Sequence, residues 1–144
     1  MRNMKALVLW VTLVVVGCGG GGSSSIFEVE VGHCFDDPAD LAEVSEVEVV
    51  SCDEPHDKEV SDLPAYPAGP DDAYPGDAVI DAWASEACIG SFGAYVGISY
   101  EESVLVVGTL SPRAGTWEDG DREVICILYE PEQKLTGSMR NSGR

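Results

Sequence analysis

The five cysteines constrain what this chain can fold into more than any other feature. They stand at Cys18, Cys34, Cys52, Cys88 and Cys126. Cytosolic cysteines stay reduced, whereas a small exported domain uses an even number of them as disulfides. The compartment in which the chain folds therefore decides its covalent framework, and the first residues of the sequence predict that compartment.

The N-terminus has the parts of a bacterial export signal. Arg2 and Lys5 are positive, residues 6–16 are mostly apolar, and a glycine directly precedes Cys18. Such a leader is typical of a lipobox, so we predict a signal peptide over residues 1–17. Its apolar run is too short to cross a bilayer core, which takes about 20 helical residues.

Cys18 is the predicted lipid attachment site, because a thioether to diacylglycerol needs a sulfur nucleophile. Stable anchoring takes more than one acyl chain. Two or three chains, palmitate among them, would hold the protein at the outer face of the cell membrane. The alternative is an ordinary secretory peptide, or an uncleaved helix, with a chance cysteine. Residues 18–25 are then the lipidated cysteine and a flexible Gly/Ser tether.

The rest of the chain is strongly acidic. The net charge is −18, and cleavage after residue 17 removes two bases and no acid, which brings it to −20. Nucleic acid binding depends on Lys and Arg, so we expect no nucleic acid partner. A basic partner or a bound cation fits this charge, and so does a merely solvated surface. Residues 26–140 have the length of one domain, followed by a tail over 141–144.

Acylation of Cys18 leaves four cysteines, and two disulfides are expected. Four cysteines allow three pairings, and the sequence alone does not choose among them. We prefer Cys34 with Cys52, which flank a predicted strand, and Cys88 with Cys126, which would join a helix to a strand.

Zinc is the alternative use of two of these cysteines. Cys34 and Cys52, with His33 and His56, offer a ligand set that zinc accepts. Adjacent residues do not easily point at one ion, and no Cys-x2-Cys motif is present. We therefore predict no metal and no cofactor.

Alternating apolar and polar residues predict short strands in the N-terminal half. Residues 27–31 and 44–50 show this pattern, and a third strand follows the turn after Cys52. Residues 63–75 contain four prolines and are predicted to be a loop.

One helix is predicted over residues 78–96, where apolar residues recur at three- and four-residue steps. Asp77 is its expected N-cap, and glycines predict an early end or a break near Gly90.

Continuous apolar runs over 103–110 and 124–129 predict central strands covered on both faces, separated by a loop over 111–121. Residues 134–140 are predicted to be a final edge strand. Together these elements predict an α+β fold, with one main helix packed on a mostly antiparallel sheet and two disulfides.

Two motifs stand out: Cys-x-x-Pro-His-x-x-Glu-Val at 52–60 and Trp-x-x-Gly-Asp-Arg at 117–122. On these residues the chain resembles the septum formation domain family of actinobacterial envelope proteins, over nearly the whole domain. The further landmarks are Gly32-His33-Cys34-Phe35, Tyr74-Pro75-Gly76, Cys88, Tyr95-Val96-Gly97, Pro112, Cys126 and Leu135-Thr136-Gly137-Ser138.

The resemblance implies a domain outside the membrane with a link to septation and cell division, and it supplies no catalytic residues. The chain departs from the family at His33, where relatives more often have an acidic residue. It also departs in its lipobox, because many relatives look anchored by a transmembrane helix instead.

His56 is the residue best suited to acid–base chemistry, because the carboxylate of Asp57 could orient its imidazole. No nucleophile accompanies it, since Gly-x-Ser-x-Gly is absent and the cysteines are expected to be paired. We therefore expect a structural histidine and a protein that is not an enzyme. The alternative is an envelope hydrolase, which would need a deep pocket around His56.

A binding surface is predicted at His56, Trp117, Asp121 and Arg122. The indole beside a charge pair could form a ledge for a ligand. Alternatively, Asp121 belongs to a turn, Arg122 pairs with an acid and Trp117 closes the edge of the core.

Three acids, Asp36, Asp37 and Asp40, stand close together as in a cation site, but the EF-hand spacing is missing and a solvated loop explains them. The favoured function is an interaction module for another envelope or division protein. The alternative is binding of a small ligand or a cation.

Overall fold

A computed structural model describes residues 22–38 and 46–144 of the chain. The signal peptide predicted over 1–17, the predicted lipidation site Cys18 and the acid Asp40 lie outside these residues.

The described residues form one six-stranded sheet in the order β1-β3-β2-β4-β6-β5. Every neighbouring pair is antiparallel, and one long helix packs on the sheet. The α+β prediction is thus confirmed. The strands are β1 (Gly22–Ser25), β2 (Cys34–Asp36), β3 (Glu46–Val50), β4 (Lys58–Asp62), β5 (Val106–Leu110) and β6 (Ile125–Tyr129).

The main helix, α1 (Asp77–Val96), runs through Gly90 without the predicted break. A glycine inside a helix costs about 1 kcal/mol. The turn beyond Gly90 buries Phe92 and Val96, and each such side chain contributes about 1.5 to 3 kcal/mol, so burial outweighs that cost. The helix is capped by Gly76, not by Asp77, and ends at Gly97, whose φ of 95° favours glycine. A short helix, α2 (Ala114–Glu118), lies in the predicted 111–121 loop.

The hydrophobic core lies on both faces of the sheet. β6 alternates between the faces, so that Ile125 and Ile127 pack on one side while Cys126 and Leu128 pack on the side of α1. The prediction that residues 124–129 are covered on both faces is confirmed.

Residues 27–31 do not form the predicted strand. Ile26–Glu28 is a 3₁₀ turn instead, in which Phe27 is 60% exposed while Ile26 and Val29 are buried three residues apart. This segment covers one face of the sheet. A turn places Ile26 and Val29 on the same side, so that both side chains pack against the sheet. The alternating pattern was therefore a misleading signal here.

The two ends of the domain also differ from prediction. β5 is an edge strand and only half-buried, not a central one. Residues 134–140 form no strand, because Leu135 makes a single bridge to His56 and the chain then turns at Gly137. The last part of the predicted tether, Gly22–Ser25, pairs with β3, because the edge of that strand supplies backbone partners.

Candidate functional site

His56 is fully buried, with 0% of its surface exposed. Its backbone bonds in both directions with Leu135, at 3.0 and 2.8 Å. Its Nδ1 lies 2.8 Å from the carbonyl oxygen of Glu54, so this nitrogen carries the proton and donates. The backbone of His56 therefore holds two loop segments together, and its buried imidazole has no access to a solute, whereas a hydrolase would need that access.

Trp117 is buried as well, at 4% exposure, and its indole Nε1 donates to the carbonyl of Asp72 at 2.8 Å. The ring makes edge contacts with Tyr66 and Tyr74. The guanidinium of Arg122 lies 3.5 Å from the ring centre. The chain's own arginine therefore covers the indole face that a ligand would need.

Arg122 does not pair with an acid in the described part of the chain. Its guanidinium donates to the carbonyls of Trp117 and Asp121 at 2.9 and 2.7 Å, and to those of Gly69 and Pro70 at 3.4 and 3.3 Å. The expected ion pair is wrong, because the loops bring four carbonyls within reach of one planar, five-donor group. His56 shares none of these contacts, so the four predicted binding residues do not form one surface.

Both disulfides have the preferred pairing, Cys34–Cys52 and Cys88–Cys126. The first joins β2 to the turn after β3, and the second joins α1 to β6. The zinc alternative is contradicted, because the sulfurs of Cys34 and Cys52 are bonded to each other.

Sequence reasoning missed Glu59, a fully buried carboxylate in β4. Three donors reach it: the Tyr95 hydroxyl at 2.5 Å, the Ser138 hydroxyl at 2.7 Å and the backbone N–H of Met139 at 2.7 Å. Three donors suit an ionised carboxylate, which accepts only. Glu59 thus ties β4 to the end of α1 and to the C-terminal segment.

Two further groups that can take part in chemical reactions lie next to Glu59: the Cys34–Cys52 disulfide and the Tyr95 hydroxyl. One of its oxygens and the sulfurs of Cys34 and Cys52 all lie within 4.8 Å of one another. Burial, and then the hydrogen bond to Glu59, raise the pKa of the Tyr95 hydroxyl to about 12. Arg140 lies 4.6 Å from the Tyr95 ring centre, and its positive charge opposes this rise in the Tyr95 pKa.

The comparison with known families covers most of the chain. A family model described as septum formation matches residues 31–143. The chain belongs to the septum formation family. Neither a curated protein nor a solved structure matches the chain.

The landmarks of this septum formation domain converge on its interior. The 52–60 motif supplies Cys52 to a disulfide, His56 to the loop bridge and Glu59 to the buried network. Tyr95 and Ser138, the partners of Glu59, lie in two other landmarks, 36 and 79 residues away. In the sequence, only its place in the 52–60 motif set Glu59 apart from the other acids. Its hydrogen-bond partners were identified from the structure.

An open cleft of about 340 Å³ lies at one end of the domain. Lys134 bridges Asp36 and Asp57 there, at 2.6 and 3.0 Å. Lys58 pairs with Asp37 and lies 5.7 Å from the ring centre of Tyr129, which also lines the cleft. Two of the three acids considered as a cation site are thus paired with the protein's own lysines.

Electrostatics in the septum formation domain keep this cleft charged. Burial raises the pKa of Asp57, but hydrogen bonds from the Asp37 backbone and from Lys134 outweigh it, so the pKa is lowered. The hydrogen bonds to Asp36 and Asp57 raise the pKa of Lys134. Within the described ranges, no helix is long and apolar enough to span a membrane.

Proposed function

We propose that this septum formation domain is a non-enzymatic interaction module of the cell envelope. A lipid on Cys18 holds it at the outer face of the cell membrane, where it binds another envelope or division protein. Family membership supports the link to septum formation. The leader and the lipobox sequence support the anchor and the location.

One observation carries the non-enzymatic part of this proposal. The side chains best suited to acid–base work, His56 and Glu59, are both 0% exposed. A general acid or base has to come within hydrogen-bond reach of the substrate. Glu59 accepts three hydrogen bonds from the protein itself, and the Nδ1 of His56 donates to the carbonyl of Glu54.

The anchor is tested by Cys18→Ser in the producing cells. The variant should leave the membrane fraction or accumulate as the uncleaved precursor, and intact mass should lack the diacylglycerol. Gly19→Ser is the matched control, because it changes the neighbouring residue and keeps the sulfur. A Cys18→Ser protein that fractionates and weighs like the lipidated wild type would contradict the anchor.

The link to division is tested by depleting the protein and imaging septa. Misplaced or missing septa are expected, and re-expression of wild type, but not of Cys18→Ser, should correct them. Crosslinking from the membrane-bound protein should recover an envelope or division protein above the level found with Cys18→Ser. Normal septa after depletion would contradict the role in septum formation.

The cleft favours a second candidate function, the binding of a small cationic ligand. Its lining contains four acids against two lysines. Cadaverine and calcium chloride are suitable probes in a thermal unfolding assay. A rise in Tm that Asp57→Asn abolishes would favour this function, and unchanged Tm with both probes would count against it.

A further inference from the structure

β5 (Val106–Leu110) is the outermost strand of the sheet, and within the described ranges only its inner side pairs with another strand. All five of its residues are half-buried. An edge strand presents a row of N–H and C=O groups that a further strand can pair with. Extended peptides bind many proteins in this way.

β5 lacks three of the devices that usually protect an edge. Charged side chains, proline and bulges serve that purpose. Its five pairs with β6 follow one another in unbroken register, whereas the register shifts between Val60 and Asp62 in β4. Residues 103–112 contain no charged residue, in a chain that is 24% charged, and proline comes only at Pro112. Neither the sequence nor the pairing of β5 itself therefore blocks the addition of a further strand.

The charges around β5 determine which strand fits. Glu101 and Glu102 lie in the 3₁₀ turn before the strand and are exposed, and Val104, between that turn and the strand, is 58% exposed. Arg113, at the other end, is neutralised by Asp77 and Asp81, at 3.3 and 3.1 Å. A second copy of the chain is disfavoured, because each copy has a net charge of −18.

We propose that β5 binds an extended, basic segment of a partner protein, which adds a seventh strand to the sheet. This inference rests on the proposed function, since it names the surface of the interaction module. The partner strand runs antiparallel, so the residues that follow it lie beside Glu101 and Glu102. The matching segment alternates apolar and polar residues and ends in Lys or Arg.

Hydrogen exchange with the full-length protein in detergent tests this surface. The probe is the peptide Thr-Val-Thr-Val-Thr-Val-Lys-Lys, and its counterpart ends in Glu-Glu. The lysine peptide should protect the outward amides of residues 106–110 and bind about tenfold more tightly than the glutamate peptide. Added salt should reduce that difference.

Two matched pairs of variants locate the contact. Val104→Lys should weaken binding of the lysine peptide severalfold, while Val79→Lys, on the 49% exposed Val79 of α1, should not. Glu101→Lys should likewise weaken it, while Glu86→Lys on α1 should not. Protection at β1 alone, equal effects of test and control variants, or protection of β5 that grows with protein concentration and needs no peptide would overturn the inference.

Complementation separates this inference from the proposed function. A Val104→Lys, Glu101→Lys double variant should fail to correct the septa of depleted cells. Full correction by that variant would overturn the β5 surface and leave the proposed function intact. Normal division after depletion would instead contradict the proposed function, whatever β5 binds.

Discussion

Replacing Glu59 by glutamine should make the Cys34–Cys52 disulfide easier to reduce. An attacking thiolate reaches the half-buried Cys52, whereas Cys34 is 0% exposed. The attack forms a bond to the Cys52 sulfur and expels the Cys34 sulfur as a thiolate. That thiolate emerges within 4.8 Å of the Glu59 carboxylate, so like charges oppose the step.

The size of the effect follows from this geometry. Two unit charges 4.8 Å apart repel by about 3.5 kcal/mol at an effective dielectric constant near 20. Roughly half of the charge has developed on sulfur in the transition state. Glutamine removes that repulsion, so reduction of Cys34–Cys52 should accelerate about 20-fold.

The same substitution should also lower the free energy of unfolding. Gln Oε1 can still accept from Tyr95 and Ser138, but its amide would face the backbone N–H of Met139, a second donor. Loss of one charge-assisted bond and the weakening of two others should cost about 2 to 4 kcal/mol. Glu86→Gln on the exposed face of α1 is the matched control and should change stability by less than about 0.5 kcal/mol.

Timed alkylation with mass spectrometry measures the reduction of each disulfide separately in dithiothreitol. The Cys88–Cys126 bridge is the internal control, because general unfolding exposes both bridges. Tyr95→Phe is a second control, since it removes a hydrogen bond but leaves the carboxylate charge. The reasoning is refuted if Glu59→Gln reduces at the wild-type rate, or if both disulfides accelerate equally.

Three further predictions concern stability. Replacing Cys88 and Cys126 by alanine should lower the free energy of unfolding by about 4 kcal/mol, because the bridge closes a 38-residue separation, and urea titration measures this. The pKa of Tyr95 is about 12 in the folded protein, above its ordinary value of 10.0. The stability that its protonated hydroxyl contributes is therefore complete below pH 10 and is lost as the pH rises through 12. The difference in the free energy of unfolding between wild type and Tyr95→Phe should shrink by about 1.4 kcal/mol between pH 8 and pH 11. Arg122→Lys should cost about 2 kcal/mol and lower Tm, because an ammonium cannot span four carbonyls and stack on Trp117; an unchanged Tm would show that those contacts contribute little.

Local patterns predicted most of the elements correctly. The helix over 78–96 was recognised by its three- and four-residue apolar period, and the strand over 124–129 by its continuous apolar run. The strand predicted over 27–31 was wrong, because the same alternation of apolar and polar residues also fits a turn that covers the sheet. β2 was not predicted, because a strand of three residues is too short to show a repeating pattern. These short segments take their conformation from the sheet they lie against.

The candidate site was less predictable than the fold. The motif singled out Trp117 and Arg122. It did not show that both side chains donate hydrogen bonds to backbone carbonyls of a loop far away in the sequence. Glu59 looked like one more acid in an acidic chain. Its burial depends on donors from two distant segments that no local pattern connects to it.

The sequence by itself determined the layers of this protein, because apolar periodicity acts through local geometry, and its cysteine count predicted two disulfides, whereas the structure decided between the three possible pairings. It also supplies the predicted export signal and the predicted lipobox on which the proposed location depends. Only the tertiary structure decided which polar groups are buried, which strand lies at the edge and which charges neutralise each other. Those outcomes depend on distances between residues far apart in the chain, and such distances exist only once the whole sheet has assembled.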